Sequence, residues 1–311
     1  MIKHFLTLAD LTPDTMRSIL DLAVEIKEAW RSGETRPFLK GKVLGMIFQK
    51  PSLRTRVSFD VAMLQLGGHA LYLSPNEIQL GKRESVADVA RVVSRYVNIV
   101  MARVFSHYDV VELARYASVP VINGLSDYSH PCQGIADFLT ILEHKGGFRG
   151  RKLAYLGDGN NVATSLLFGA AQLGMEFAIA TPRGYELHPA VWSLGQHIAA
   201  QTSAKLTATY DPLEAVAEAD IIYTDTWTSM GQEEEAQQRR AIFPPYRVDE
   251  EKLTYAKPDV IVMHCLPAHR GEEITDEVAD GPHSVLFDQA ENRLHGQKAI
   301  LVWLLNAYQG S

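Results

Sequence analysis

The stretch Gly146–Asp158, GGFRGRKLAYLGD, decides how the chain is organised. Its glycines break the helix-like segment before it, and KLAYLGD then reads as a short buried strand opening into a polar loop. After it come EFAIAT, DIIYTD, DVIVMHC and SVLF, further short apolar runs separated by helical or loop segments, the pattern of a parallel sheet. Ahead of it, VLGMIF from Val43, HALYLS from His69, NIVMAR from Asn98 and VPVIN from Val119 alternate with amphipathic segments such as ESVADVARVVSRY. The rhythm therefore runs twice, which predicts an α/β fold of two domains, each with a central mainly parallel β-sheet flanked by helices.

The expected boundary lies near residues 134–150. Residues 1–134 form the first domain, 135–149 an interdomain helix or linker, and 150–291 the second domain, with 292–311 as a closing helix that packs back on the first. Thr12 and Pro13 mark the start of the first helix, a cap residue followed by a proline that has no N–H to leave unpaired. Met16, Ile19, Leu20, Ala23 and Ile26 recur at helical spacing, and Gly33 ends it. AENRLHGQKAILVWLLNAYQ reads as the closing helix despite the cost of Gly296 inside it.

Among 311 residues, 46% are apolar and 22% charged, with no continuous apolar segment long enough to cross a bilayer, so no membrane partner is expected. MIKHFLTLADLT lacks the basic flank, apolar core and cleavage site of a secretory signal, which points to the cytoplasm. A net charge of −7 argues against a general nucleic-acid surface. Cys132 and Cys265 are the only cysteines, too few for a disulfide framework or a thiolate metal cage. Small-molecule chemistry is the class that remains.

KPSLRTRVSFD, Lys50–Asp60, follows one strand and leads into a helix. Ser52, Arg54, Thr55 and Arg56 offer hydroxyls, guanidinium forks and the free N–H groups of a helix start, a set suited to phosphate. The same residues also read as a helix cap with surface arginines. Neither this stretch nor GDGNNVATS has the GxxxxGK[ST] spacing of a P-loop. Arg103 ends NIVMAR, and His130 and Gln133 flank Cys132 in SHPCQG; they can neutralise phosphate and orient a carbonyl, or simply cap and pack. Gln79, in PNEIQLGKRES, reads more readily as a solvated loop residue.

In the second half, GDGNNVATS, DTWTSMG and MHCLPAHRG each follow a strand. Asn161, Asp225 and Ser229 suit an amine and a carboxylate, with Met230 contributing backbone, and capping or packing is the alternative. Cys265 is read as part of a substrate-contact loop fixed by Pro267, ahead of a covalent nucleophile in a Cys/His hydrolase or plain packing. His264 and His269 lack an HExxH pattern, so no metal is expected. Arg293, in FDQAENRLHG, is placed just before the final helix, to reach an anion or to cap and pair at the surface.

Taken together, SLRTR at 52–56, HPCQ at 130–133, DGNNVA at 158–163, DTWTSMG at 225–231 and HCLP at 264–267 resemble the aspartate/ornithine carbamoyltransferase family over essentially the full length. SxRTR and HPCQ are common to that family, whereas SMG paired with HCLP resembles its ornithine branch. The resemblance implies that Ser52, Leu53, Arg54 and Thr55 form a carbamoyl-phosphate loop completed by Arg103, His130 and Gln133, with Cys265, Leu266 and Arg293 near the reacting carbamoyl group. It also implies that Asn161, Asp225, Ser229 and Met230 hold the α-amino and α-carboxylate end of L-ornithine. Three positions depart from the family pattern: Leu53 stands for threonine and can offer only its backbone N–H, Gln49 for glutamate, and Thr164 for asparagine.

The implied reaction is direct attack of the neutral δ-amine on carbamoyl phosphate, giving citrulline and phosphate with no cofactor and no covalent enzyme intermediate. A homotrimer, or an assembly of trimers, is implied as well, in which Gln79 reaches the carbamoyl phosphate of a neighbouring copy. Two other classes fit the residues less completely. A noncatalytic anion-binding regulator would leave the second set of polar residues without a use, and a purely structural oligomer would leave both sets without one.

Overall fold

The computed structural model describes residues 4–228 and 233–307, which fall into two compact units, residues 1–136 with 292–311 and residues 137–291. In the first unit, helix α1 (Pro13–Arg31) starts where the Thr12 hydroxyl accepts from Thr15 N at 3.1 Å, and it buries Met16, Ile19, Leu20, Ala23 and Ile26. Strand β1 (Val43–Phe48), α2 (Leu53–Gln65), β2 (His69–Leu73), α3 (Pro75–Ile78), α4 (Val86–Val93), β3 (Ile99–Arg103), α5 (His107–Tyr116), β4 (Val121–Leu125) and α6 (Pro131–Lys145) follow. The sheet order is β2-β1-β3-β4 and every pairing is parallel, with Leu44 opposite Ile99 and Val43 opposite His69. Val119 and Pro120 precede β4: Pro120 has no N–H for the ladder and offers only its carbonyl, to Val100 N at 2.9 Å.

The second unit contains β5 (Lys152–Leu156), α7 (Asn161–Leu173), β6 (Glu176–Ala180), α8 (Pro189–Thr202), β7 (Lys205–Thr209), α9 (Pro212–Val216), β8 (Ile221–Thr224), α10 (Ala236–Ile242), α11 (Glu250–Tyr255), β9 (Ile261–His264) and α12 (Asp276–Ala279). Its parallel sheet runs β7-β6-β5-β8-β9. The last helix, α13 (Leu286–Ala307), begins in this unit and ends in the first. Among the described residues no helix is long and apolar enough to cross a membrane.

Three sequence expectations need correction. SVLF is not a strand: Ser284 makes one isolated bridge to Val262, Val285 N donates to Val262 O at 3.0 Å, and Leu286 then opens α13. The fifth strand is instead KLTAT, β7, an edge strand whose half-exposed residues carry too little apolar signal to stand out. Arg293 consequently lies inside α13 and not in a loop ahead of it.

Tight helix contacts explain two helical glycines. A Cβ at Gly169 of α7 would lie 2.0 Å from Phe138 of α6, and one at Gly296 of α13 would lie 3.1 Å from Ile135. Close approach, not flexibility, accounts for a residue that otherwise weakens a helix.

In both units the strand order reverses beside the first strand, between β1 and β3 and again between β5 and β8. Loops leaving the carboxyl ends of strands at such a reversal diverge to opposite faces and leave a crevice where ligands bind. Gln49–Ser52 and Val104 follow β1 and β3, while Gly157–Asn160 and Asp225 follow β5 and β8. The topology therefore selects the segments that the motifs had marked.

Candidate functional site

At the first reversal, Ser52 caps α2 and its hydroxyl accepts from Thr55 N at 3.4 Å. Thr55 is 1% exposed, and its Oγ1 accepts from Arg103 Nη1 at 3.3 Å and from Arg293 Nη2 at 3.4 Å. Arg293 also donates from Nη1 to Gln133 Oε1 at 2.7 Å. Two guanidinium groups thus converge on one hydroxyl at the amino end of a helix, where the peptide dipoles add further positive potential.

His130, buried beside them, is held well below the usual imidazole range, first by burial and then by the charges of Arg293, Arg103 and Arg54. It is neutral at physiological pH and can hydrogen-bond without adding charge. Burial pushes the Cys132 thiol up to about 12, so it stays protonated and donates to Asn123 O at 3.4 Å. That thiol is packing, not chemistry.

Arg54 and Leu53 are exposed on the first turn of α2, Leu53 at 78%. Arg56 turns away from the cluster, its guanidinium 4.1 Å from the centre of the Tyr72 ring. Gln49 closes the base of the loop: its side-chain oxygen accepts from Phe105 N at 2.7 Å and its amide donates to Asp109 at 2.8 Å. A carboxylate at position 49 could not make that second bond unless it or Asp109 were protonated. Gln79 is not brought into the cluster; it is exposed at the end of α3, in the left-handed region at φ +40, with its amide on Asn76 O at 3.4 Å.

At the second reversal the buried Asp225 is gripped from two sides. Its Oδ2 accepts from Asn160 Nδ2 at 2.8 Å and its Oδ1 from the Cys265 thiol at 3.0 Å. Asn160, not Asn161, caps α7, with its side-chain oxygen accepting from Val162 N at 2.9 Å and Ala163 N at 3.1 Å. Asn161 is the first, half-buried residue of the helix, and Thr164 donates its hydroxyl to Asn160 O at 3.0 Å. Ser229 and Met230 lie outside the described residues.

Leu266 takes the left-handed region at φ +58, ahead of a cis peptide bond to Pro267, and its N–H donates to His264 Nδ1 at 2.8 Å. That bond fixes the tautomer: Nδ1 accepts, so Nε2 carries the proton and donates to the buried Glu273 at 3.1 Å. Beneath, His264 N donates to Gln289 Oε1 at 2.8 Å, and Gln289 donates to Asp137 at 2.8 Å and to the Tyr223 hydroxyl at 3.0 Å. The Cys265–Leu266 segment therefore rests on a buried polar network that motif reading did not find.

Arg239 was missed as well. It is buried on α10, paired with Asp158 at 2.9 Å and Glu235 at 3.0 Å, and donates to Trp227 O at 2.8 Å, so it fastens segments on both sides of residues 229–232. Burial pushes Asp158 up to about 6 in spite of that charge. Asp225, His264 and Cys265 offer ligand atoms within 4.8 Å of one another, but both His264 nitrogens and the thiol proton already serve protein partners.

A guanidinium-lined anion cradle in one unit and a firmly held carboxylate in the other describe a protein that handles a phosphorylated and a cationic small molecule. The chain belongs to the aspartate/ornithine carbamoyltransferase family: its carbamoyl-P binding domain matches residues 3–143 and its Asp/Orn binding domain residues 149–304. The ornithine carbamoyltransferase of Pyrococcus abyssi is 54% identical over 303 residues, 97% of this chain and 96% of that one. That of Archaeoglobus fulgidus is 56% identical over 304 residues, 98% of each chain. The solved ornithine carbamoyltransferase from Pyrococcus furiosus superposes with a TM-score of 0.94 at 54% identity, covering 96% of each chain.

Proposed function

We propose that this enzyme transfers the carbamoyl group of carbamoyl phosphate to the δ-amine of L-ornithine, giving L-citrulline and phosphate. The observation that carries the reading is the convergence of Arg103 and Arg293 on Thr55 beside a neutral His130, a preformed anion site at the start of α2. Residues 1–134, with 292–311, hold carbamoyl phosphate, and residues 150–291 hold ornithine.

In this reading Ser52, Thr55 and the backbone N–H of Leu53 bind the phosphate, with Arg54 and Arg103 offsetting its charge. Arg103, His130 and Arg293 stabilise the negative charge that grows on the carbonyl oxygen, and Gln133 orients the carbamoyl amide. His130 suits this task because, uncharged, it donates one hydrogen bond without competing with the guanidinium groups for the anion.

Asp225 receives the α-ammonium of ornithine, and Asn161, Ser229 and Met230 complete the recognition of its amino-acid end. Cys265 and Leu266 act at the side-chain amine and carbamoyl group. The Cys265 thiol donates a hydrogen bond to Asp225, which supports direct attack by the amine over a thiolate nucleophile. The δ-ammonium must first lose a proton, having no lone pair to attack with.

Gln79, exposed on its own copy, acts on the carbamoyl phosphate of a neighbour in a homotrimer, and the enzyme works in the cytoplasm. Incubation with carbamoyl phosphate and, separately, ornithine, aspartate, putrescine and N-acetylornithine tests the reading. Citrulline should form from ornithine alone; its absence would sink the substrate assignment. Light scattering tests the trimer.

A further inference from the structure

The turn that follows Pro267 carries side chains that take no direct part in the reaction. His269 is exposed, Glu272 half-buried and Glu273 fully buried, and one ligand atom of each lies within 4.8 Å of the others. Glu273 uses Oε1 to accept from His264 Nε2 at 3.1 Å and from His269 N at 2.5 Å. Its Oε2 has no hydrogen-bond partner although the residue is 0% exposed, and it lies 3.7 Å from His269 Nδ1. A buried carboxylate oxygen without a donor is costly, and here it points to the side of the turn where an imidazole and a second carboxylate reach the surface.

We infer that His269, Glu272 and Glu273 form a binding site for a divalent transition-metal ion of the zinc class. One imidazole and two carboxylates are a ligand set that zinc accepts, with water in the remaining position, whereas calcium and magnesium prefer oxygen ligands alone. Tetrahedral ligands about 2.0–2.2 Å from one ion stand roughly 3.3–3.6 Å apart, so the group is open and closes by rotation of the exposed His269 and half-buried Glu272 side chains. Glu273 is the fixed member. Its other oxygen is tied by two donors, the outer bonding that orients a metal-ligating carboxylate.

One competitor is visible. Arg240, exposed on α10, donates from Nε to Glu272 Oε1 at 2.9 Å and must release it when the ion binds. The site is distinct from the Asp225, His264 and Cys265 group, and its existence does not depend on the reaction proposed above.

The test is titration of the metal-free full-length protein with Co²⁺, read by absorbance, and with Zn²⁺, read by calorimetry. One ion should bind per chain without a thiolate-to-cobalt charge-transfer band. His269→Ala should weaken binding at least tenfold, and Arg240→Gln should tighten it severalfold, with both variants melting like the parent in the absence of metal. A charge-transfer band that disappears in Cys265→Ser would place the ion at the other group and overturn the proposal. So would undiminished affinity in His269→Ala, or no binding by the parent.

Discussion

Asn160 performs two jobs that substitution can separate. Its side-chain oxygen accepts from two backbone N–H groups at the start of α7, and its amide donates to Asp225 at 2.8 Å. Loss of an N-cap costs about 0.5–2 kcal/mol of stability, or roughly 2–4 °C in Tm per kcal/mol for a unit of this size. Loss of a hydrogen bond to a charged group costs about 1.5–3 kcal/mol, and at about 1.4 kcal/mol per factor of ten this weakens ornithine binding roughly 10- to 150-fold. Asn160→Ala should show both effects. Asn160→Ser keeps a capping oxygen on a side chain too short to reach Asp225, so it should melt near the parent while the ornithine KM rises by that factor. Carbamoyl-phosphate affinity, measured by calorimetry, should stay unchanged in both. If Asn160→Ser binds ornithine as tightly as the parent while Asn160→Ala only melts earlier, Asn160 is a cap and nothing more, and the account of how Asp225 is held is wrong.

Arg54→Ala removes an exposed charge without opening a cavity, and carbamoyl-phosphate binding should weaken roughly 10- to 150-fold with Tm unchanged; equal affinity by calorimetry would remove Arg54 from the anion site. His130 is depressed below its unfolded value near 6.5, so the unfolded chain binds the extra proton. Its contribution to stability is therefore complete above pH 6.5 and declines as pH falls below it, and Tm measured from pH 7.5 to 5 should show that decline, reduced in His130→Gln. Gly169→Ala forces a Cβ to within 2.0 Å of Phe138 and should cost about 3 kcal/mol in chemical denaturation, despite the better helix propensity of alanine.

The elements most legible in the sequence were those whose residues carry one dominant physical signal. VLGMIF, and KLAYL after its leading lysine, are apolar because parallel strands are covered on both faces, and Thr12–Pro13 announces α1 because both residues solve the problem of unpaired N–H groups. KLTAT escaped because an edge strand needs little apolar surface, and SVLF misled because a short apolar run can open a helix as well as form a strand. Motif residues pointed to Thr55, Arg103, His130, Gln133 and Arg293, and the hydroxyl and guanidinium groups among them do bond together. The supports were invisible for a different reason. Asn160, Arg239, Glu273 and Gln289 act through partners 65, 12, 9 and 25 residues away, and only folding reveals such pairings.

The return of α13 to the first unit has a consequence for how the protein is made. Arg293 reaches Thr55 across 238 positions of chain, so at about 5–20 residues per second a ribosome spends roughly 12–48 s between the two. For most of that interval, once β4 has been made, the nascent first unit has its four strands but lacks its terminal helix and one of the two guanidinium groups that meet on Thr55. The anion cradle is finished last, after the whole second unit has been synthesised, and a chain truncated before Asn292 cannot assemble it.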